Sequence, residues 1–280
     1  MKLTETQIND YRENGFLIVD GIFTEAEVQG IRDGIHKIDD KPMPNIIREE
    51  NGAIRSVFAP QTIREEFNWL YKQERLVTPT QQLLNDPSIY LYQYKLNNKK
   101  AFDGGIWEWH QDYPFWHIDD GVKDANMLSV MVLLQDTDHA QGPLMFIPKS
   151  HKTGIADFQY KAHLTGENVD LENSLNGDLK FTIKNELIKK MVDQDGIQPG
   201  IGKIGTAIFF HPNVYHGSNA NISPYDRNTA IMTYNVTSNL PEDRKEKNRP
   251  DYICLRDTTP IQPDNRSIHE IIERTPVNVS

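Results

Sequence analysis

Two side chains able to bind a metal stand two residues apart in the segment WEWHQDYPFWH, which spans residues 107–117. In an extended strand, residues i and i+2 point to the same face, so His110 and Asp112 are predicted to project together onto one metal ion. His216 is the predicted third ligand, because it lies in YHGSN just beyond a strand that ends in FFHP. Two imidazoles and one carboxylate leave coordination positions open for a cosubstrate and O₂, which is the arrangement of non-haem Fe(II) oxygenases.

This assignment of ligands has alternatives. A histidine and an aspartate at this spacing occur by chance in many proteins. His211, which precedes Pro212, competes with His216 for the metal. We favour His216 because Arg227 follows it by eleven residues, where a strand begins. An arginine there could pair with a carboxylate held in the fold, and its alternative role is a surface salt bridge.

Short segments rich in β-branched and aromatic residues follow one another through the middle of the chain, separated by polar turns. They predict strands at 89–96, 127–135, 142–150, 202–210 and 229–236. Repeated short strands of this kind favour a β-sandwich or jelly roll over repeated βαβ units. The predicted fold class is therefore mainly β with flanking helices.

The N-terminal part, about residues 1–87, is predicted to be mainly helical. Thr4 can cap a first helix that ends before Gly15, and a short strand follows at Phe16–Val19. Thr24 opens the capping box TEAE, and apolar residues at helical spacing come after it.

Two further helices are predicted at 62–73 and 79–85, the second opened by Pro79. A jelly-roll core is expected at about 88–240. Within it, residues 153–199 are polar and partly helical and are interpreted as an insertion that could act as a lid. A polar tail covers 241–280, and we expect residues 1–280 to form a single oxygenase domain.

The composition limits the partners and the compartment. The net charge is −10 and no basic patch is evident, so we expect no nucleic-acid partner. Cys254 is the single cysteine, which excludes a disulfide within the chain and favours a reducing compartment such as the cytoplasm. We find no run of about 18 apolar residues and no apolar signal-peptide core, so no membrane association is expected. A small-molecule substrate is the expected partner, and a homodimer is a possible assembly.

Several segments resemble the phytanoyl-CoA dioxygenase superfamily of Fe(II)- and 2-oxoglutarate-dependent oxygenases, and within it the ectoine hydroxylases. The segments are LTETQINDYRENGFLIVDGIFTEAEV, WHQDYPFWHIDDG, LSVMVLLQDTDHAQGPLMFIPKSHK and HGSNANISPYDRN, in the family's order over roughly residues 5–240. The resemblance implies a double-stranded β-helix (jelly-roll, cupin-like) core. It also implies Fe(II) as the metal, with 2-oxoglutarate and O₂ as cosubstrates.

The resemblance assigns roles residue by residue. The iron ligands would be His110, Asp112 and His216. The residues around 2-oxoglutarate would be Arg227, which grips the distal carboxylate, with Ser129, Asn97, Lys95 and Ser218. The substrate pocket would include Gln93, Trp116, Trp107 and Ile231, although a core role for Trp107 is the more common use of a large aromatic residue.

Departures from the family pattern surround the substrate side of the predicted pocket. Gln111 replaces a serine between the first two ligands, Pro114 and Phe115 replace a Glu-Thr pair, and Ile231 stands where an aromatic residue is expected. The predicted activity is hydroxylation of a small polar metabolite, such as an amino acid, an amino-acid derivative or a specialised metabolite. The alternatives are a metal-dependent cupin-like enzyme that does not use 2-oxoglutarate and a non-catalytic binding protein. The presence of Asp112 argues against a halogenase.

Overall fold

A computed structural model of the protein describes residues 1–38, 43–49, 51–160, 179–243 and 249–274. The α-helices of this part of the chain are α1 (Glu5–Asn14), α2 (Glu25–His36), α3 (Glu65–Lys72), α4 (Glu74–Leu84), α5 (Tyr113–Asp120), α6 (Asn185–Asp195) and α7 (Ile268–Arg274). The strands are β1 (Phe16–Val19), β2 (Ile46–Arg48), β3 (Ile54–Phe58), β4 (Ile89–Lys99), β5 (Trp107–His110), β6 (Met127–Leu133), β7 (Leu144–Ile147), β8 (Phe158–Tyr160), β9 (Phe181–Ile183), β10 (Gln198–Pro199), β11 (Ala207–Phe210), β12 (Tyr215–Ser218) and β13 (Arg227–Val236).

Two antiparallel sheets form the centre of the molecule. The larger has the strand order β1-β11-β6-β13-β4-β3-β2, and the smaller has the order β10-β7-β12-β5. Side chains from both sheets meet in one buried cluster, because alternate residues of a strand point to the same face. Its members include Met131, Ile208, Phe210 and Ile231 from the larger sheet and Leu144 and Phe146 from the smaller one. The predicted jelly-roll class is confirmed.

Helices cover the opposite face of the larger sheet. Residues of α2, α3 and α4 pack with those of β4, β6 and β13 in the largest buried cluster. The helix starts follow the predicted local signals, since Thr4 and Thr24 each form a complete capping box. Gly15 ends α1 in the left-handed conformation, with φ 81°, which explains why a glycine stands there.

Two details of the N-terminal part differ from the prediction. Besides β1, residues 1–87 contribute β2 and β3, which extend the edge of the larger sheet beside β4. The helix predicted to open at Pro79 begins earlier, at Glu74, and Pro79 lies inside it. It begins there because Gln73 is extended and its carbonyl accepts the first helical N–H groups, from Leu76 and Val77.

The predicted insertion contains a strand pair, β8 with β9, followed by α6 and β10. The partly helical character predicted for this insertion is present as α6. Residues 161–178 of the insertion lie outside the described residues. The tail returns to the core, where Ile253, Cys254 and Ile268 are buried. Within the described ranges, no helix has the length and apolar character that crossing a membrane requires.

Candidate metal centre and active site

The two predicted histidine ligands face each other on neighbouring strands of the smaller sheet. His110 of β5 pairs directly with His216 of β12, and their ring centroids are 4.1 Å apart. Oδ1 of Asp112 lies 3.8 Å from Nε2 of each histidine. One donor atom from each of the three residues lies within 4.8 Å of the others, so these side chains surround a space for one ion.

Asp112 reaches this position by a different local structure from the predicted strand. Strand β5 ends at His110, and Asp112 has helical backbone angles, φ −73° and ψ −37°, at the start of α5. Its backbone N–H and that of Tyr113 donate to the carbonyl of Pro212, at 3.0 and 3.1 Å. The Asp112 side chain makes no capping bond to the helix, which leaves the carboxylate available to a metal.

Backbone carbonyls fix the orientation of both imidazoles. Nδ1 of His110 lies 2.7 Å from the carbonyl of Glu108, and Nδ1 of His216 lies 3.0 Å from that of Val214. Each carbonyl accepts, so Nδ1 carries the proton and the lone pair of Nε2 is left for the metal, which is the usual arrangement of metal-bound histidines.

Burial also keeps these imidazoles neutral. Burial, and then the neighbouring His216, lower the pKa of His110 to about 3. Burial likewise lowers the pKa of His216. Burial alone would raise the pKa of Asp112, but His216, Lys95 and His110 together lower it. Two neutral imidazoles and one carboxylate are the protonation states that bind Fe(II), so the donor set fits this ion.

A buried guanidinium lies in the same cavity as the three donors. Arg227, at the start of β13, is 4% exposed and lines the cavity. Its Nη2 donates to the carbonyl of Gly142 at 2.9 Å, and its Nη1 is 3.4 Å from Oγ1 of Thr229. Nε is buried without a hydrogen-bond partner among the described residues, and burial lowers the pKa of Arg227 to about 10. A buried guanidinium without a carboxylate partner in the described part of the chain fits the distal carboxylate of 2-oxoglutarate.

The other residues predicted around 2-oxoglutarate differ in their placement. Asn97, Lys95 and Ser218 line the cavity with Arg227. Ser129 is not among the residues that line it, and its hydroxyl lies 3.0 Å from that of Thr233.

Lys99 was missed by the sequence reasoning. It pairs across the sheet with Arg227 and is 3% exposed. Its ammonium group donates to Oγ of Ser218 at 2.8 Å and to the carbonyl of Asn219. A lysine within a β-strand carries no signal of burial, and only the register with Arg227 reveals its position.

The predicted substrate residues lie together in the cavity wall. Gln93, Trp116, Trp107 and Ile231 all line it. Nε2 of Gln93 donates to the carbonyl of Ile253 at 2.9 Å. The ring of Trp107 also packs under the guanidinium of Arg55, 4.5 Å from the ring centroid.

His211, the alternative ligand, lies elsewhere. Its ring packs against His151 at 5.2 Å, and its Nδ1 accepts from the backbone N–H of Asn213. The group of three potential metal-binding side chains contains His216 instead.

Two further parts of the wall come from segments that carried no motif. Arg249, in the tail, lines the cavity and forms a bidentate salt bridge with the buried Asp120, with 2.8 Å between Nε and Oδ1. Leu179, in the insertion, also lines the cavity. The next aromatic residue, Phe181 of β9, packs on Phe115 with 4.9 Å between ring centroids.

Comparisons with known proteins agree with this geometry. The family model for phytanoyl-CoA dioxygenase matches residues 11–229. An L-proline trans-4-hydroxylase of Streptomyces griseoviridis is 30% identical over 254 residues, which are 90% of this chain and 93% of that protein. An ectoine dioxygenase of Streptomyces coelicolor is 31% identical over 89% of this chain and 84% of its own length.

Solved structures give the same relationship. The crystal structure of EctD from S. alaskensis with 2-oxoglutarate and 5-hydroxyectoine has a TM-score of 0.79 and 27% identity, over 95% of this chain and 89% of that one. The structure of EctD with bound Fe has a TM-score of 0.78 and 26% identity over the same shares. Because the family model spans most of the sequence and the relatives match along nearly their whole length, the chain belongs to the phytanoyl-CoA dioxygenase family and is an Fe(II)- and 2-oxoglutarate-dependent dioxygenase.

Proposed function

We propose that this enzyme hydroxylates an unactivated C–H bond of a small polar metabolite that carries a carboxylate. The substrate class is an amino acid, an amino-acid derivative or a related specialised metabolite. The supporting observation is that two cations besides Arg227, namely Lys95 and Arg249, line the cavity. Lys95, which the resemblance places around 2-oxoglutarate, is assigned here to the substrate instead. Its ammonium has no hydrogen-bond or ion-pair partner among the described residues, and Arg249 lines the same space. The salt bridge of Arg249 to Asp120 uses Nε and Nη2 and leaves Nη1 for another acceptor.

The chemistry of the related enzymes agrees with a carboxylate at this position. The relatives act on L-proline and on ectoine by name. Each of these molecules combines one carboxylate with a positively charged nitrogen on a small ring. A substrate of this size and charge matches a cavity with cations on two sides and aromatic walls.

We assign the iron to His110, Asp112 and His216. The distal carboxylate of 2-oxoglutarate is assigned to Arg227, with Asn97 and Ser218 beside it. When bound, iron with 2-oxoglutarate and O₂ supplies the oxidant that removes a hydrogen atom from the substrate carbon. Ser129, whose hydroxyl contacts that of Thr233, stays a prediction as a residue that supports the cosubstrate site.

The remaining wall residues orient the substrate and exclude water. Gln93 can accept a hydrogen bond from the substrate through Oε1, because Nε2 is held by a backbone carbonyl. Trp116, Trp107 and Ile231 supply apolar surface. Leu179 brings the insertion over the cavity, and removing water there strengthens every polar contact that the substrate makes.

Wider assignments also belong to this proposal. We assign residues 1–280 to one oxygenase domain, since strands of the N-terminal part join the larger sheet and tail residues line the cavity. A cytoplasmic location is proposed from the single cysteine, and a homodimer stays a prediction.

The cofactor pair is tested by adding Fe(II) and 2-oxoglutarate to the protein without oxygen. We expect a weak visible metal-to-ligand charge-transfer band in the wild type and its loss or clear change in Asp112→Ala. Asp119→Ala, seven residues along on the same helix, is the matched control and should keep the band. Bound iron without a band in the wild type would mean that 2-oxoglutarate is not the cosubstrate.

The substrate class is tested by succinate release with free amino acids, L-proline and ectoine. Lys95→Met should raise the KM for a carboxylate-bearing substrate and leave the affinity for 2-oxoglutarate unchanged. Turnover only with an acyl-CoA or with a protein-bound residue would contradict the proposed class. An unchanged KM in Lys95→Met would remove the role of this ammonium.

A further inference from the structure

Gln111 stands between two of the proposed iron ligands and is almost fully buried, with 2% of its surface exposed. Its side-chain amide forms three hydrogen bonds with backbone groups. Nε2 donates to the carbonyls of Gly154 and Asn213, at 2.8 and 2.7 Å, and Oε1 accepts from the N–H of Ala156 at 2.8 Å. A buried amide with this many partners is costly to misplace, because each lost bond leaves a buried polar group unsatisfied.

One of the contacted segments orients metal ligands. Asn213 belongs to the loop between β11 and β12, and this loop precedes His216. In the same loop, Val214 accepts from Nδ1 of His216, and Pro212 accepts from the backbone N–H of Asp112. The bond from Gln111 to Asn213 therefore joins the turn that carries Asp112 to the loop that orients both Asp112 and His216.

The other contacted segment begins the insertion. Ala156 precedes β8, whose Phe158 and Tyr160 pair with Ile183 and Phe181 of β9. Close to β9 is Leu179, which lines the cavity. The bonds from Gln111 to Gly154 and Ala156 thus connect the metal-ligand turn to the strand pair beside Leu179, which is part of the cavity wall.

We propose that Gln111 is a positioning residue that holds this wall of the substrate cavity in register with the iron ligands. A serine at this position would be too short to contact all three backbone groups in the same way. The coupling deepens the proposed function because it relies on the assigned iron ligands.

The test compares Gln111→Met with Gln73→Met. Methionine keeps the length of glutamine and removes its hydrogen bonds. Gln73 is an equally buried glutamine, 2% exposed, whose amide bonds Arg266 and Arg75 outside the cavity. Gln111→Met should weaken the binding of Fe(II), measured without oxygen, by about 10- to 100-fold, the usual effect of losing a residue that supports metal ligands. Gln73→Met should bind Fe(II) as the wild type does.

The second readout is hydrogen exchange of the Ala156 amide, which reports the contact itself. In the wild type, Fe(II) with 2-oxoglutarate should slow this exchange, whereas the Gly196 amide at the end of α6 should be unaffected. In Gln111→Met the exchange should be about tenfold faster, equivalent to about 1.4 kcal/mol, and should no longer respond to the ligands. Gln111→Ser provides a smaller replacement, for which the same two changes are expected.

Three results would overturn the inference. The first is a Gln111 variant with the iron affinity of the wild type, and the second is equal effects in Gln73→Met. The third requires no variant, and is an Ala156 amide in the wild type that exchanges at the same rate with and without the ligands. A wild type that binds no iron at all would instead refute the proposed function, so this measurement is made first.

Discussion

Replacing Arg227 with methionine should weaken the binding of 2-oxoglutarate selectively. The substitution removes the buried guanidinium and keeps an unbranched side chain. In the protein, Nη2 of Arg227 donates to Gly142, Nη1 has a long contact to Thr229, and Nε has no partner. A carboxylate that accepts a hydrogen bond from Nε therefore breaks no existing bond of Arg227. The loss of this new hydrogen bond in the variant should appear almost fully in the free energy of 2-oxoglutarate binding.

The magnitude follows from the burial of this pair. Removing one partner of a buried, hydrogen-bonded charge pair costs about 2–5 kcal/mol. A cost of about 3 kcal/mol weakens binding about 150-fold. At a 2-oxoglutarate concentration of about 100 times the wild-type Kd, the ligand raises the free energy of unfolding by about 2.7 kcal/mol. In Arg227→Met the same concentration should raise it by only about 0.3 kcal/mol.

The assay is urea unfolding with Fe(II) and without oxygen, in the presence and absence of 2-oxoglutarate. Arg227→Lys should lie between the other two proteins, because it keeps the charge and loses the planar pair of donors. Arg75→Met, which removes a salt bridge to Glu27 outside the cavity, should keep the full stabilisation by the ligand. Equal stabilisation of Arg227→Met and the wild type would refute the assignment of this guanidinium to the cosubstrate.

Three further outcomes are expected. Burial, and then the charge of Arg227, lower the pKa of Lys99 to about 6, so binding of the 2-oxoglutarate dianion should favour the charged form of Lys99. Calorimetry in buffers of different ionisation enthalpy should therefore show proton uptake with 2-oxoglutarate, and binding should weaken as the pH rises from 6 to 8. Lys99→Met should abolish both effects. Asp120→Asn should lower the free energy of unfolding by about 3 kcal/mol, because it leaves the partly buried Arg249 without its carboxylate; a loss below about 1 kcal/mol would mean that the pair is solvated. Ile268→Ala should cost about 2–5 kcal/mol in urea unfolding, since the side chain is fully buried, and it should leave the affinity for iron unchanged, which a change in the Fe(II) titration would contradict.

The sequence predicted best the features that depend on neighbouring residues. The capping boxes at Thr4 and Thr24 are formed within four residues, so they act in the same way whatever the rest of the fold does. The strands of the core were also found, because aromatic and β-branched residues fill both faces of strands that are buried on both sides. This holds for β4, β6 and β13, in which nearly every residue is buried.

Predictions failed where packing outweighed a local preference. Pro79 favours the first turn of a helix, yet it lies inside α4. The helix starts one turn earlier because this turn buries the side chains of Leu76 and Val77. The prediction that His110 and Asp112 project together was correct, but it assumed that both residues lie in one strand. The two side chains converge although Asp112 is not in a strand, because Pro212 binds the backbone of the turn.

Some residues of the site were beyond the reach of sequence spacing. The proposed iron ligands all belong to the smaller sheet or to the turn beside it, and a short motif revealed two of them, His110 and Asp112. Arg227 and Lys99 come from facing strands of the larger sheet, and Arg249 comes from the tail. Arg227 was predicted from its eleven-residue step after His216, but no fixed spacing relates Lys99 or Arg249 to the ligands, because the two sheets are brought together by their apolar faces. The substrate end of the cavity is therefore formed by long-range packing, which no local motif in the sequence encodes.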